Sequence, residues 1–376
     1  MSALKYDLEA TCGEARAGTL HTPHGSVPTP AFMPVGTYGT VKGMTPEEVR
    51  GIGGSIVLSN TMHLWVRPGD TAIQQLGGLH RFMGWDGPIL TDSGGYQVFS
   101  LKKLARVTEE GVRFRTPKDG EYRMLSPEVC VSIQENLGVD MAMAFDECIE
   151  WPADRERVGR STERTTRWLR RCLDARRAPE RTALLGIVQG GFFPDLRAAH
   201  ADELSAMNLD GYAIGGLSVG EPTDELLGMV EVVAPRLPAN KVRYLMGVGY
   251  PIDIVEAVMR GVDLFDCVLP TRNARNGQVF SSQGRLNVKH ARFKLDPGPL
   301  DETCPCYTCR HFSRAYLRHL YLSDELLGHR LLTLHNLAYY LGLMQRLRAA
   351  VIAGPDALAA LRAEAVLASQ PPGAFN

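Results

Sequence analysis

The stretch 183–216, ALLGIVQGGFFPDLRAAHADELSAMNLDGYAIGG, holds two short apolar runs, Ala183–Val188 and Tyr212–Ile214, with a segment of helical pattern between them. Both runs end in glycines and polar residues. Strands buried on both faces are short and continuously apolar, and a crossover helix lets the next strand run parallel to the last. The same unit recurs on either side. Further runs stand at Ala31–Gly36, Ser55–Ser59, Pro88–Thr91, Met141–Phe145, Val242–Met246 and Val262–Phe265, making eight in all. Helix starts are marked at Thr45-Pro46-Glu47-Glu48 and Ser126-Pro127-Glu128, each a hydroxyl N-cap followed by proline at the first helical position. Eight such units predict an α/β chain closed as a (β/α)₈ TIM barrel. No G-x-G-x-x-G follows an early strand, which weighs against an open dinucleotide-binding sheet.

Between these units the polar alternation from Val112 to Met124 predicts an inserted hairpin. Pro270 to about Pro299 is Gly- and polar-rich, as irregular hairpins are, and a helix is expected from about Ser323 to Ala350. The tail Ser369-Gln370-Pro371-Pro372-Gly373 is expected to fray. A length of 376 residues suggests two domains at about 150 residues each, but one barrel with insertions accommodates it equally. The reading adopted is one catalytic domain over 1–376, with the basic hairpins and a small metal-binding subdomain within 270–340.

Composition narrows the classes. With 44% hydrophobic and 22% charged residues the chain is neither disordered nor fibrous. No apolar stretch approaches the roughly 18 residues of a membrane helix, and Lys5, Asp7 and Glu9 stand where a signal peptide needs an apolar core. A cytoplasmic protein with no membrane partner is expected. The net charge of −1 excludes a globally basic nucleic-acid binder while leaving room for a local basic patch.

Of eight cysteines, three fall within six residues, Cys304-Pro305-Cys306-Tyr307-Thr308-Cys309. Three thiolates this close can face one ion, and tetrahedral zinc needs a fourth ligand. His335 is the candidate, on a helix able to fold back over the cysteine loop; His311 lies too close to the loop, and His319 and His329 are rivals. With four protein ligands and no water position, one Zn²⁺ per chain would be structural.

Barrel active sites gather at the C-terminal ends of strands. Here those ends read T-D-S-G-G-Y-Q (91–97), F-D-E-C (145–148), V-Q-G-G (188–191), I-G-G-L-S-V-G-E (214–221), L-M-G-V-G (245–249) and F-D-C-V-L-P-T-R-N-A-R-N-G (265–277). Asp92 and Asp266 put two carboxylates at one mouth, where one can attack an anomeric carbon while the other shuttles a proton. Residues Cys267 to Leu295 carry Arg272, Arg275, Arg285, Lys289, Arg292 and Lys294 with no acid, a local phosphate-binding candidate. The arginines from Arg155 to Arg181 are interleaved with Glu156, Glu163, Asp174 and Glu180, and read as a solvated helix face.

These motifs, in this order from about Tyr6 to Ala350, resemble the bacterial tRNA-guanine transglycosylase (queuine tRNA-ribosyltransferase) family. The resemblance implies a zinc-containing barrel that exchanges guanine at the anticodon wobble position of certain tRNAs for 7-aminomethyl-7-deazaguanine. It makes Asp266 the nucleophile, covalently bound to ribose in transit, and Asp92 the general acid/base. It assigns Asp146, Gln189 and Gly216 to the base's edge, Leu217 to the aminomethyl group by its carbonyl, Tyr96 and Met246 to the base's faces, and Ser93 to the same pocket. A carboxylate suits guanine's adjacent ring N–H and amino group, and amide and backbone N–H donors suit its carbonyl. Cys148 and Val219 match the bacterial pattern rather than that of relatives accepting queuine. Arg272, Arg275, Lys289 and Arg292 are the expected tRNA contacts, the target nucleotide being flipped out to enter the barrel. Tyr250 departs from the smaller or charged residue of many relatives, beside the expected RNA path. The family acts as a homodimer, to which Phe82, Phe312, Tyr316 and His319 are candidate aromatic contacts. About 40 residues past His335 are too few for the extra RNA-binding domain of archaeal relatives. A barrel hydrolase using the same acids, or a noncatalytic tRNA-binding partner, is the alternative; the latter should lack the nucleophile.

Overall fold

The computed structural model describes residues 3–100, 104–116 and 120–369, so the tail past Ser369 lies outside the described residues. Three antiparallel strands come first, β1 (Lys5–Cys12), β2 (Ala15–Thr22) and β3 (Gly25–Thr29). The barrel begins with β4 (Ala31–Met33), β5 (Val57–Ser59) and β6 (Ile89–Thr91). An inserted antiparallel sheet follows, β7 (Ala105–Val107), β8 (Val112–Arg115) and β9 (Tyr122–Leu125), one strand more than the expected hairpin. The barrel resumes with β10 (Met141–Met143), β11 (Ala183–Val188), β12 (Gly211–Ile214), β13 (Arg243–Leu245) and β14 (Leu264–Asp266). The hairpin β15 (Gln278–Ser281) and β16 (Gly284–Asn287) precedes a C-terminal group of helices.

The eight barrel strands lie in the order β4-β14-β13-β12-β11-β10-β6-β5, and every pairing between them is parallel. The ring closes where Val35 bridges Leu58, with Leu58 N–H donating to the Pro34 carbonyl at 3.0 Å. All eight expected runs are strands of this barrel. Within β11 the side chains alternate as a pleated strand requires. Ala183, Leu185 and Ile187 pack inside with Leu90, Met141, Met143 and Ala213, while Leu184 and Val188 face the outer helices.

The N-terminal sheet plugs the base of the barrel, where Leu4, Tyr6, Leu20 and Val27 join the interior cluster. Two buried carboxylates at strand beginnings pin it there. Asp263 accepts from Tyr6 OH at 2.9 Å and Arg243 N–H at 2.8 Å, and pairs with Arg16 at 3.2 Å. Asp140 accepts from the backbone N–H groups of His24 (3.0 Å) and Ile89 (2.9 Å), and its oxygens face the rings of His24 and His80. Those two imidazoles stack face to face with centroids 3.6 Å apart, and each turns a ring nitrogen to a different Asp140 oxygen. This trio is a clasp on the barrel's base, the end where structural residues gather.

The helix expected from about Ser323 runs from Leu326 to Ala353, and a further helix, Pro355–Ser369, follows it. No helix among the described residues is long and apolar enough to cross a membrane.

Candidate active site and metal centre

The strand ends open into one cavity of about 510 Å³ lined by Asp92, Ser93, Tyr96, Asp146, Gly216, Leu217, Met246 and Asp266, with Arg272 at its edge. That volume suits a small aromatic ligand. A larger hollow of about 870 Å³ lies between the helix Pro46–Gly51 and the long helix Leu326–Ala353, away from every strand-end acid.

The three acids of the mouth differ in their partners. Asp92, just past β6, has both oxygens engaged. Oδ1 accepts from Thr61 N–H at 2.9 Å and Gly94 N–H at 3.2 Å, and Oδ2 from the amides of Asn60 and, at 2.8 Å, Gln97. Burial, with the Asp266 charge adding to it, outweighs those donors and pushes the Asp92 carboxyl up to about 6. Asp266, at the end of β14, is half-buried, and only its Oδ1 is engaged, by Tyr244 OH at 2.6 Å and Gly247 N–H at 2.9 Å. Its Oδ2 makes no hydrogen bond to the described residues. Burial raises the Asp266 carboxyl too.

Asp146, just past β10, accepts from Ser93 Oγ at 2.9 Å and from Gln189 Nε2 at 2.7 Å, and burial pushes it up to about 6. Gln189 and Ser93 are thus bonded to Asp146, and a base entering the cavity must exchange its own donors for theirs. Gly216 sits at φ +63°, and a Cβ there would lie 2.3 Å from Gln189 Oε1, so any other residue would push the Gln189 amide out of place. Tyr96 is 58% exposed at the mouth, and Met246 is half-buried against the interior cluster. Cys148 and Val219 also line the cavity. Glu221 caps the turn after β12, accepting the N–H groups of Ser218 and, at 2.8 Å, Val219.

The cysteine loop and the long helix meet as expected. The ligand atoms of Cys304, Cys306, Cys309 and His335 all lie within 4.8 Å of one another. His335 Nδ1 stands 3.2 Å from Cys309 Sγ and 3.6 Å from Cys306 Sγ, while Nε2 bonds the Phe280 carbonyl at 2.7 Å. A carbonyl accepts only, so the ring proton is on Nε2 and the Nδ1 lone pair faces the sulfurs. That is the tautomer a metal ligand needs. Hydrogen bonds from Cys304 and Cys309 pull the Cys306 thiol well below the usual thiol range. The group is suited to bind a metal ion, and its donor set and spacing fit zinc. The neighbouring Asn336 ties the helix to the hairpin, accepting from Phe280 N–H at 3.0 Å and donating to the carbonyls of Pro270 (2.9 Å) and Gln278 (3.1 Å).

A family model described as queuine tRNA-ribosyltransferase matches residues 11–369. Proteins of that name are similar along nearly their whole length. One from Listeria welshimeri is 54% identical over 366 residues, covering 97% of this chain and 96% of its own. One from Acetivibrio thermocellus is 54% identical over 354 residues (94% and 95% covered). One from Solidesulfovibrio magneticus is 56% identical over 353 residues (94% of each). The chain belongs to the queuine tRNA-ribosyltransferase family.

In this family member the basic segment reaches the mouth at Arg272. Arg272 lies on the helix Leu269–Arg275, and Arg275 beside it is half-buried with its guanidinium on the Thr271 carbonyl at 2.9 Å. Lys289 and Arg292 are exposed, set over the rings of Tyr321 and Phe293 at 5.1 and 4.8 Å. Among the described residues none of these four forms an ion pair with an acid. Tyr250 lines the cavity's rim with Arg285 over its ring at 5.5 Å.

The arginines of Arg155–Arg181 are in part the solvated face expected, with Arg155, Arg160 and Arg170 more than half exposed. Others on the helix Arg155–Ala175 act as braces. Arg157 and Arg164 both pair with the buried Glu147 at 2.6 Å, Arg167 reaches Glu109 of the inserted sheet at 2.7 Å, and Arg171 reaches Glu128 at 2.7 Å. The acids that pair with them come mostly from other elements, so their sequence neighbours gave no hint of it.

Several supporting residues escaped the sequence reading. Asn60 directly follows β5, so the strand-end rule itself points to it. Gln97 and Glu221 lie inside motifs already quoted. Tyr244 carried no signal, because a tyrosine inside an apolar run is indistinguishable from core.

Proposed function

We propose that this chain exchanges guanine at the wobble position of tRNA for 7-aminomethyl-7-deazaguanine by double displacement through a ribosyl–Asp266 intermediate. Its family membership supports base exchange in tRNA. The unengaged Oδ2 of Asp266 carries the mechanism. Of the two acids given to the chemistry, Asp92 has both oxygens held by donors, whereas Asp266 keeps one free to attack. Tyr244 OH and Gly247 N–H hold the other oxygen and fix the attacking one.

Asp266 Oδ2 attacks the ribose anomeric carbon as the bond to guanine N9 breaks, and guanine leaves with the electron pair and a proton from Asp92. The incoming base then gives its N9 proton to Asp92 and attacks the same carbon, displacing Asp266. Two inversions restore the starting configuration, and one N-glycosidic bond replaces another. An Asp92 carboxyl near 6 can pass the proton both ways close to neutrality once the Gln97 amide leaves Oδ2 and frees a lone pair for it.

Asp146, supported by Ser93, would accept the base's ring N–H and amino group, with Gln189 and Gly216 N–H donating to its carbonyl. Tyr96 and Met246 would cover its faces, and the Leu217 carbonyl would meet the aminomethyl group, between Cys148 and Val219. Cys304, Cys306, Cys309 and His335 would hold zinc, which supplies a cross-link between the cysteine loop and the long helix. Residues 1–376 would work as one cytoplasmic catalytic unit. Phe312, Tyr316 and His319 form one ring series, with Phe312 stacked on Tyr316 at 5.5 Å. Phe82, Phe312, Tyr316 and His319 would lie at the contact between two copies of the chain.

Labelled guanine mixed with unfractionated tRNA tests the reading. Label should enter tRNA, and the deazaguanine should chase it out; guanine released from tRNA without incorporation would replace exchange by hydrolysis. Arg272, Arg275, Lys289 and Arg292 should make tRNA binding salt-sensitive. Four phosphate contacts at a slope of roughly −0.7 each weaken binding about 50-fold between about 50 and 200 mM salt. Titration by filter binding measures this, and a flat response removes the basic segment from the reading.

A further inference from the structure

Two buried polar residues behind the pocket take no part in the chemistry above. Arg197 and His200 lie one turn apart on the helix Pro194–Ala206, 0% and 2% exposed. Arg197 reaches only main-chain carbonyls, and they belong to two strand-end loops. Nε donates to Gly191 O at 2.7 Å, Nη1 to Val188 O at 3.3 Å, and Nη2 to Gly215 O at 2.9 Å and Gly216 O at 3.3 Å. Among the described residues no carboxylate pairs with it directly, and Glu221 acts on it only through space. Burial lowers its pKa to about 9, so it stays charged at neutral pH. A fold that needed only packing here would use an aliphatic side chain, because burying a charge is costly.

The peptide plane explains what the charge does. The carbonyl of Gly215 and the N–H of Gly216 belong to one trans peptide and point in opposite directions. With Gly215 O drawn back onto the guanidinium, Gly216 N–H is turned away from it, on a residue that lines the cavity. That N–H has no protein acceptor among the described residues. A cation at the carbonyl also polarises the peptide and strengthens the N–H as a donor. His200 performs a parallel service for Gln189, whose backbone N–H donates to His200 Nδ1 at 2.8 Å. Burial holds this imidazole down to about 4, hence neutral with its proton on Nε2, and Nε2 is buried without a partner.

We infer that Arg197 and His200 are positioning residues that aim the Gly216 N–H and Gln189 at a purine carbonyl, and so set the preference for a 6-keto over a 6-amino base. The inference rests on the pocket being the guanine-exchange site. Arg197→Lys keeps the charge but not the planar fork that spans two loops. It is assayed with labelled guanine and tRNA, with 2,6-diaminopurine as competing base, alongside thermal melting. Wild-type exchange is the control: its absence overturns the reading of the site rather than the bracing.

With exchange present, Arg197→Lys should raise the KM for guanine about tenfold and cut discrimination against 2,6-diaminopurine about tenfold, as expected when a donor to the base is misaligned. The KM for tRNA should stay within about twofold. His200→Leu should also raise the KM for guanine, and His200→Asn, whose amide oxygen can take the place of Nδ1, should restore it. If Arg197→Lys does not fold, the His200 pair decides alone. Lowered melting temperatures with unchanged guanine KM and unchanged discrimination would reduce both residues to structural support and overturn the inference.

Discussion

Replacing Asp266 with Asn should lower base exchange by about 10⁴-fold or more, about 5.4 kcal/mol of transition-state stabilisation at 1.36 kcal/mol per decade. Tyr244 OH and Gly247 N–H can still meet the remaining carbonyl oxygen, so the pocket should keep its shape. The substituted position is an amide nitrogen with no lone pair to offer an anomeric carbon. tRNA binding should stay within a few-fold of wild type, because the substitution leaves the basic segment from Arg272 to Arg292 intact. A denaturing gel separates the roles further. The intact protein trapped with tRNA should run as a covalent adduct and Asp266→Asn should not, whereas Asp92→Asn should slow exchange without erasing adduct chemistry altogether. Exchange surviving in Asp266→Asn would transfer the nucleophile's role elsewhere in the mouth.

The second large effect is expected at the cysteine loop. Cys306→Ser should abolish stoichiometric metal, about one ion per chain in the wild type by elemental analysis. His335 and Asn336 are consecutive on the long helix, one facing the sulfurs and the other pinning β15. Loss of a bound ion should therefore free the loop and loosen the hairpin β15–β16. A loss of about 4 kcal/mol should lower the melting temperature by about 8 °C, taking ~2 °C per kcal/mol for a chain larger than a small domain. Chelation of the wild type should reproduce the shift, and a wild type that melts identically with and without metal would remove the ion from the fold.

Legibility in the sequence followed how local each signal was. β11 could be read because six residues buried on both faces have to be apolar throughout. β1 could not. In Lys5-Tyr6-Asp7-Leu8-Glu9-Ala10 the alternation suggests one inward face, but a register shift between Leu8 and Ala10 breaks it, and Leu8 ends 40% exposed while Tyr6 is buried. Asp92, Asp146 and Asp266 stood out because an acid just after an apolar run sits at a barrel mouth. Asp140 and Asp263 precede their runs and belong to the base, a distinction that emerges once strand direction is considered. Arg197 and His200 were hidden for another reason. On a surface-looking helix, nothing local says that an arginine will be drawn inward by carbonyls of two separate loops.

Barrel closure has a consequence for how the protein is made. β4 pairs with β14, so Ala31 must wait for Leu264, and the long helix must follow before Arg348 can reach the carbonyls of Gly18 and Thr29 at 2.6 and 2.8 Å. At ribosomal speeds of about 5–20 residues per second, the first barrel strand leaves the exit tunnel roughly 10–50 s before its partner exists. During that interval β4 has an open edge, and Asp92 has no Asp266 to face. The β1–β3 sheet, which pairs only with itself and is complete by Thr29, can form at once beside that waiting strand. Catalytic competence thus arrives late and all together, when the last part of the chain locks onto the first.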